Sequence, residues 1–283
     1  MQNAVLFVNL NKENSSSVCE EIRSNLEGRG FQVSVFATTD RSNYSPSGDC
    51  DIAFSLGGDG TVLYTARMLA AFDTPILPVH LGTLGFIASV KKNQWLAVFE
   101  QWLNRTARIS HRCMLELSVE REGQAVYSNI CLNDVVIATL GIAKLIRLRV
   151  KTEVSDGEYA DLGCYRSDGL IIATPTGSTA YSMAAGGPIL DPEIEAQIII
   201  PICSFPMTSR PLVLPSRQTL IVTVEKEQRA GVLLTVDGHD TFKLEPEDRI
   251  TVWHSSHYAR LIVADSSVYY RALREKLAWG NYA

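Results

Sequence analysis

The sequence has no apolar run approaching the roughly 18 residues of a membrane-spanning helix, which excludes a helical membrane protein. It has no excess of basic residues. Its 26 Lys and Arg stand against 31 Asp and Glu, for a net charge of -5 and a pI of about 5.6. That balance argues against a general nucleic-acid or anionic-membrane partner, though it leaves room for a local basic patch. It has no C-x-x-C pair: Cys19, Cys50, Cys113, Cys131, Cys164 and Cys203 are scattered. Free buried thiols are therefore expected, and with them a reducing, cytoplasmic setting. No basic segment precedes Ala4–Asn9, so this run reads as a first strand rather than a secretory leader. No internal repeat and no low-complexity linker is present, so the domains are expected to pack closely. What is there is ample for burial: 283 residues, 46% hydrophobic and 20% charged, enough for one large or two ordinary domains.

Strand and helix signals alternate up to about residue 107. Ala4–Leu10 suits a buried parallel strand. Ser17-x-x-Glu20 fits a capping box before a helix that buries Val18, Ile22 and Leu26 and ends at Gly28 and Gly30. Phe31–Phe36, Asp51–Leu56 and Pro75–His80 read as strands, Thr61–Ala71 as a helix, and Trp95, Phe99, Trp102 and Leu103 lie at helical spacing. This predicts an α/β domain with a parallel sheet over 1–107. From Arg108 to 263, strand signals follow one another: Met114–Glu120, Ala125–Cys131, Leu145–Val150, Leu170–Ala173, Thr219–Val224, Leu233–Val236, Ile250–Trp253 and Arg260–Val263. They predict a β-rich, mostly antiparallel, sandwich-like domain, interrupted by a helix opening near Thr179. The tail, 264–283, carries a final helix over Val268–Leu277 with Tyr269, Leu273 and Leu277 on one face.

Chemistry concentrates in two glycine-rich blocks. Leu56-Gly57-Gly58-Asp59-Gly60-Thr61 lies between a strand and a helix. Glycine lets a phosphate approach the backbone, the helix N-terminus supplies N–H donors, and Thr61 is placed to cap the helix. The block lacks a P-loop lysine and is not G-x-G-x-x-G, so neither the Walker nor the Rossmann motif is met. A carboxylate beside phosphates needs a reason. Asp59 is a base for an attacking hydroxyl, a holder of a phosphate-bridging metal, or a plain turn former.

The second block runs Ser167-Asp168-Gly169 through Thr174-Pro175-Thr176-Gly177-Ser178-Thr179-Ala180-Tyr181. Its hydroxyls suit a sugar, a phosphate or a base edge, and G-x-S-x-G is absent, so acyl transfer lacks support. On composition Tyr181 reads as core, with stacking on a ligand ring as the other reading. Asn133-Asp134, before Val135-Val136-Ile137, reads as a turn flanking a strand. His254 and His257 lack a third ligand and read as surface or satisfied histidines, while His239 follows an Asp-Gly turn.

With these residues in view, the chain resembles the bacterial-type NAD kinases over nearly its whole length. The likeness is carried by Gly57-Gly58-Asp59-Gly60, by Gly82-Thr83-Leu84-Gly85-Phe86, by Asn133-Asp134 and above all by Arg166 through Gly187. Arg210-Pro211-Leu212-Val213-Leu214-Pro215 and Asp237-Gly238 continue it in order. The first block is shared with lipid kinases and phosphofructokinases, and the long second block narrows the choice.

The resemblance implies an α/β domain, a β-rich domain and a final helix returning to the first. It implies transfer of a phosphoryl group from ATP, or a polyphosphate, to the 2′-hydroxyl of the adenosine ribose of NAD. A divalent cation, magnesium, would accompany the donor, and the assembly would be a dimer or tetramer. Carried over by position, Asp59 is the base or hydroxyl-orienting carboxylate, with Gly57, Gly58, Gly60 and Thr61 toward the phosphate donor. The NAD contacts implied are Asp59, Gly60, Asn133, Asp134, Arg166, Asp168, Thr179, Ala180, Tyr181 and Ser182, with Lys144 crossing between subunits. Metal ligands are not implied by any residue. Four places depart from the family pattern. His80 stands for Asn and Ala184 for Ser. Ser204-Phe205-Pro206-Met207 stands for a Pro-His-Ser run, and His239 for Gln. Ala184 and His239 fall among the implied NAD contacts.

Overall fold

The computed structural model describes residues 2–38, 50–82, 84–142, 144–155, 157–205, 209–265 and 267–278. Thr83, Pro206 and Met207, which belong to two of the strings above, lie outside the described residues. Contacts divide the chain into two units, Met1–Arg112 with His257–Ala283, and Cys113–Ser256.

In chain order the first unit holds β1 (Asn3–Val8), α1 (Ser15–Gly28), β2 (Gln32–Ala37), β3 (Ile52–Gly57), α2 (Asp59–Leu69), β4 (Ile76–His80), β5 (Val90–Lys91) and α3 (Trp95–Leu103). β1 pairs in parallel with β2 and β3, β3 with β4, and β4 with β5. β1, β3 and β4 are apolar runs because both sheet faces are covered. On one face Leu6, Phe54, Leu56, Leu77 and Val79 meet Ile22, Leu26 and Phe99 of the helices. Every parallel strand ends toward the same rim, where ligands of α/β sheets bind.

The chain continues through β6 (Arg108–Arg121), β7 (Gln124–Cys131), β8 (Asp134–Thr139), β9 (Ile146–Ser155), β10 (Glu158–Ser167) and β11 (Gly169–Ala173). A 3₁₀ turn (Thr176–Thr179) and the one-turn helix α4 (Tyr181–Ala184) follow. Then come β12 (Ala196–Ile202), β13 (Leu212–Pro215), β14 (Leu220–Val224), β15 (Val232–Val236), β16 (Asp240–Leu244), β17 (Arg249–Val263) and α5 (Val268–Leu277). In the second unit one antiparallel sheet runs β13-β12-β11-β8-β15-β16, and β10-β9-β14-β17 form another antiparallel run. Val135, Ile137, Leu170, Ile172 and Leu234 of the first sheet pack with Leu148, Val150, Val222 and Val252 of the second. This is the expected sandwich-like β layer, and α5 falls in the first unit, as the fold class requires.

Several local expectations are corrected. Ile250–Trp253 and Arg260–Val263 are parts of the single strand β17. The helix near Thr179 is a 3₁₀ turn and one α turn. Ser17 does not cap α1. The helix starts at Ser15 after a left-handed Asn14 (φ 62°), and the Ser17 hydroxyl donates back to the Asn14 carbonyl at 3.0 Å. Thr61 does not cap α2 either: Gly58 is the N-cap, in an extended conformation without a side chain. Of the thiols, Cys19, Cys113 and Cys131 are buried, Cys50 is half-buried, and Cys164 and Cys203 are exposed; none of these forms a disulfide. Among the described residues no helix is long and apolar enough to cross a membrane.

Candidate active site

In the first unit β3 delivers Gly57 and Gly58 to the rim, and α2 begins at Asp59. A Cβ on Gly57 would overlap the Thr61 side chain, so Thr61 is a buried packing partner of the turn rather than a cap. The Thr61 and Val62 amides bond the Gly58 carbonyl at 3.0 and 3.3 Å, while the amides ahead of them open the helix without an intrahelical acceptor. Those N–H groups and the helix dipole favour an anion at this end.

Asp59 is held more tightly than a turn former needs. Its Oδ2 accepts the Phe86 amide at 2.9 Å, and its Oδ1 accepts those of Ile87 and Ala88 at 3.1 and 2.8 Å. A Cβ on Gly85 would collide with the same carboxylate, so glycine there lets the loop close on it. The segment Gly85–Ala88 is thus the cradle of Asp59. His80, the last residue of β4, pairs with Gly57 and donates from Nδ1 to the Gly82 carbonyl at 2.9 Å, fixing the exit of β4.

In the second unit a pocket of about 440 Å³ is lined by Asn133, Asp134, Val136, Ala138, Ala180, Tyr181, Thr235, Asp237 and Gly238. Asn133 and Asp134 are buried, and Asp134 opens β8, so the pair is not a surface turn. Asn133 Oδ1 is buried and has no hydrogen-bond partner. The pair is fixed from both sides. Asp237 accepts the amides of Leu132, Asn133 and Asp134 at 3.0, 2.7 and 3.2 Å. From the second block, the Thr174 amide donates to the Asn133 carbonyl at 2.8 Å. A Cβ on Gly177 would strike that same carbonyl, which explains the glycine. Burial, and then the negative charge of Asp237, push the Asp134 carboxyl up to about 7.

The second block's hydroxyls mostly serve its own turn. Thr174 Oγ1 donates to the Leu132 carbonyl, Ser178 Oγ to Pro175 and Thr179 Oγ1 to Thr176. Thr176 Oγ1 and Ser182 Oγ are buried without a partner. Tyr181 is 47% exposed on the pocket wall, so the reading as core is overturned.

Of the expected NAD residues in this unit, the pocket gathers Asn133, Asp134, Ala180 and Tyr181. Lys144, Arg166, Asp168, Thr179, Ser182, Ala184 and His239 are not in its lining. Arg166 stacks its guanidinium 5.7 Å from the Phe205 ring centre, and the Asp168 amide bonds Ile202 in the sheet. Lys144 and Ala184 are exposed. His239 Nδ1 donates to the Asp237 carbonyl at 2.6 Å, just after a turn with positive φ at Asp237 (49°) and Gly238 (68°). Sequence reasoning left out Asp237 as a site residue. Its Asp-Gly turn was visible, but the three amides it binds lie over a hundred residues away.

Comparison with known proteins agrees across the chain. The profile of the ATP-NAD kinase N-terminal domain matches residues 32–107, and that of the ATP-NAD kinase C-terminal domain matches 132–264. The chain is 36% identical to a NAD kinase of Treponema denticola over 283 residues, covering 99% of this chain and 98% of the relative. It is 37% identical to a NAD kinase of Geobacter sulfurreducens over 289 residues, covering 99% and 100%. Yeast NADH kinase complexed with NADH shares the fold, with a TM-score of 0.88 at 24% identity over 100% of this chain and 89% of the other. So does a NAD kinase from Archaeoglobus fulgidus in complex with ATP, with a TM-score of 0.77 at 21% identity over 99% and 100%.

Proposed function

The chain belongs to the NAD kinase family, and from that premise we propose that it transfers the γ-phosphate of ATP to the 2′-hydroxyl of the adenosine ribose of NAD, giving NADP and ADP. The observation that carries this assignment is the unpartnered, buried Asn133 Oδ1 beside the Asp134 carboxyl in the pocket. An orphaned acceptor is costly unless a ligand donor meets it, and an adenosine offers an amino group and hydroxyls. Tyr181 supplies an exposed ring face for a heterocycle.

Asp59 receives the proton of the attacking hydroxyl. The ribose oxygen forms the new bond to the γ-phosphorus, the bond from that phosphorus to the β–γ bridging oxygen breaks, and ADP leaves with the bond's electrons. A carboxylate is a weak base for a sugar hydroxyl, so the proton moves late, as a loose phosphoryl transfer permits. The open amides of α2 receive the phosphates. Among the described residues no three His, Cys, Asp or Glu gather into a metal-holding group, and Asp59 Oδ1 already accepts two amides. A divalent cation would enter on the phosphates of ATP and offset their charge there. A homo-oligomer, with Lys144 reaching a second copy, is supported by the exposed Leu140 and Ile142 near it. The cytoplasmic setting is supported by six cysteines that form no disulfide.

The test is incubation with NAD, ATP and magnesium, with NADP detected by a dehydrogenase that requires it. NADP formation is expected; folded protein that binds NAD but forms no NADP would make it a dinucleotide sensor. Tyr181→Ala is expected to raise KM for NAD about 2- to 10-fold at unchanged kcat. An unchanged KM would remove the ring from the NAD site.

Asp134 predicts a pH dependence. Its ionised form is the acceptor for ligand N–H and O–H groups. KM for NAD should therefore rise as pH falls through about 7, and Asp134→Asn should abolish that inflection. Stability follows the opposite sign. The folded state keeps a proton that the unfolded chain has lost between the ordinary 3.8 and about 7, so this group's contribution to stability declines as pH rises through that window. A KM profile that is flat in the parent protein would refute the assignment.

A further inference from the structure

We propose that the C-terminal helix α5 is a positioning clamp for Asp59, with Tyr269 and Lys276 acting through the ring of Phe86. Because the clamp works through Asp59, it rests on the assignment of that carboxylate to the hydroxyl proton. Phe86 is the hinge of the geometry. Its amide is one of the three that grip Asp59, and its ring packs against α5. The Phe86 and Tyr269 ring centres are 6.5 Å apart at 54°, and Lys276 Nζ stands 4.8 Å from the Phe86 ring centre. Tyr269 and Lys276 are seven residues apart, two helical turns along one face, so a single face of α5 meets the ring from both contacts. Tyr269 is itself buried and braced by Tyr270, whose ring centre is 5.5 Å away.

Backbone pairing adds little to the register of this segment among the described residues. The segment leads into the two-residue strand β5, and its internal Gly85 to Ala88 backbone bond is long, at 3.4 Å. Gly85 has no side chain to limit its own backbone. The side-chain anchor at Phe86 therefore joins the buried Ile87 and Ala88 in setting where the three amides stand, and with them the carboxylate. Displacement of a reacting group by about 1 Å costs up to 10²-fold in rate. The Lys276 cation on the ring face and the Tyr269 ring packed against it are thus positioning groups. Neither needs to touch substrate.

The experiment uses the full chain with Tyr269→Ala, Tyr269→Phe, Lys276→Met and Lys276→Arg, each alone and with Asp59→Asn. Tyr269→Ala and Lys276→Met are expected to lower kcat about tenfold while KM for NAD and ATP stays within about twofold. Tyr269→Phe and Lys276→Arg restore the ring and the cation, and are expected to restore kcat. In the Asp59→Asn background the same changes are expected to add nothing, because they act through the group already removed. Amide hydrogen exchange of residues 85–89 is expected to speed up in Tyr269→Ala. Lys276 is exposed, so Lys276→Met tests the clamp even where Tyr269→Ala fails to fold. Unchanged kcat in Lys276→Met and Tyr269→Ala, with Asp59→Asn strongly impaired, would overturn the clamp alone. So would losses that multiply with that of Asp59→Asn. A fully active Asp59→Asn would overturn the Asp59 assignment and the clamp with it.

Discussion

Asp59→Asn lowers kcat by about 10²- to 10⁴-fold and leaves KM for NAD nearly unchanged, the range expected when a positioned proton acceptor is lost. The cradle makes this substitution informative. Asn has the same size, so its oxygen can stay where Oδ1 accepts the Ile87 and Ala88 amides, and its amino group falls where Oδ2 accepts Phe86. One hydrogen bond becomes a meeting of two donors, at a cost of about 1–3 kcal/mol in stability. That cost leaves a protein of ordinary stability folded. The pocket residues Asn133, Asp134 and Tyr181 are untouched, which is why NAD affinity should hold. The measurement is steady-state kinetics for both substrates beside thermal unfolding of the same samples. A variant that is folded and retains full kcat removes Asp59 from the chemistry and leaves it as the fastener of the cradle.

What the sequence made legible depended on distance along the chain. The Gly57–Gly60 turn was readable because β3, the turn and α2 are contiguous, and local spacing reports them. The helix α5 was read to its ends from the periodicity of Tyr269, Leu273 and Leu277. The purposes of Gly85 and Gly177 were not readable. Each is a glycine because a distant partner, the Asp59 carboxylate or the Asn133 carbonyl, occupies the place of its Cβ. Strand β12 escaped notice because Pro201 sits in it, although it lies between β11 and β13; a proline argues against a central strand. Strand β10 escaped because register shifts and Gly163 (φ 97°) break its alternation. Tyr181 was misjudged because composition cannot tell an aromatic in a core from one on a pocket wall. In the candidate site the residue types were visible, and the long-range amides that fix them were not.

Those amides make Asp237 the second residue whose replacement has a large effect, for reasons that two variants separate. Asp237→Ala strips the acceptor from the Leu132, Asn133 and Asp134 amides at once. It also places alanine at φ 49°, where an L side chain is strained. The sum is expected to exceed about 3 kcal/mol, a large share of a domain's stability, and to abolish NAD binding. Asp237→Asn keeps the turn, since asparagine tolerates the left-handed region, and keeps an oxygen for the Asn133 and Asp134 amides. What it removes is the charge. Burial remains as a cause of the raised Asp134 value and the repulsion from Asp237 vanishes, so the inflection in KM for NAD should move from about 7 toward lower pH. The checks are denaturant unfolding for the alanine variant and the KM profile from about pH 5 to 8 for the asparagine variant. An alanine variant with an unchanged midpoint would mean that the three amides find other acceptors. An asparagine variant whose inflection stays in place would mean that burial alone sets the Asp134 carboxyl.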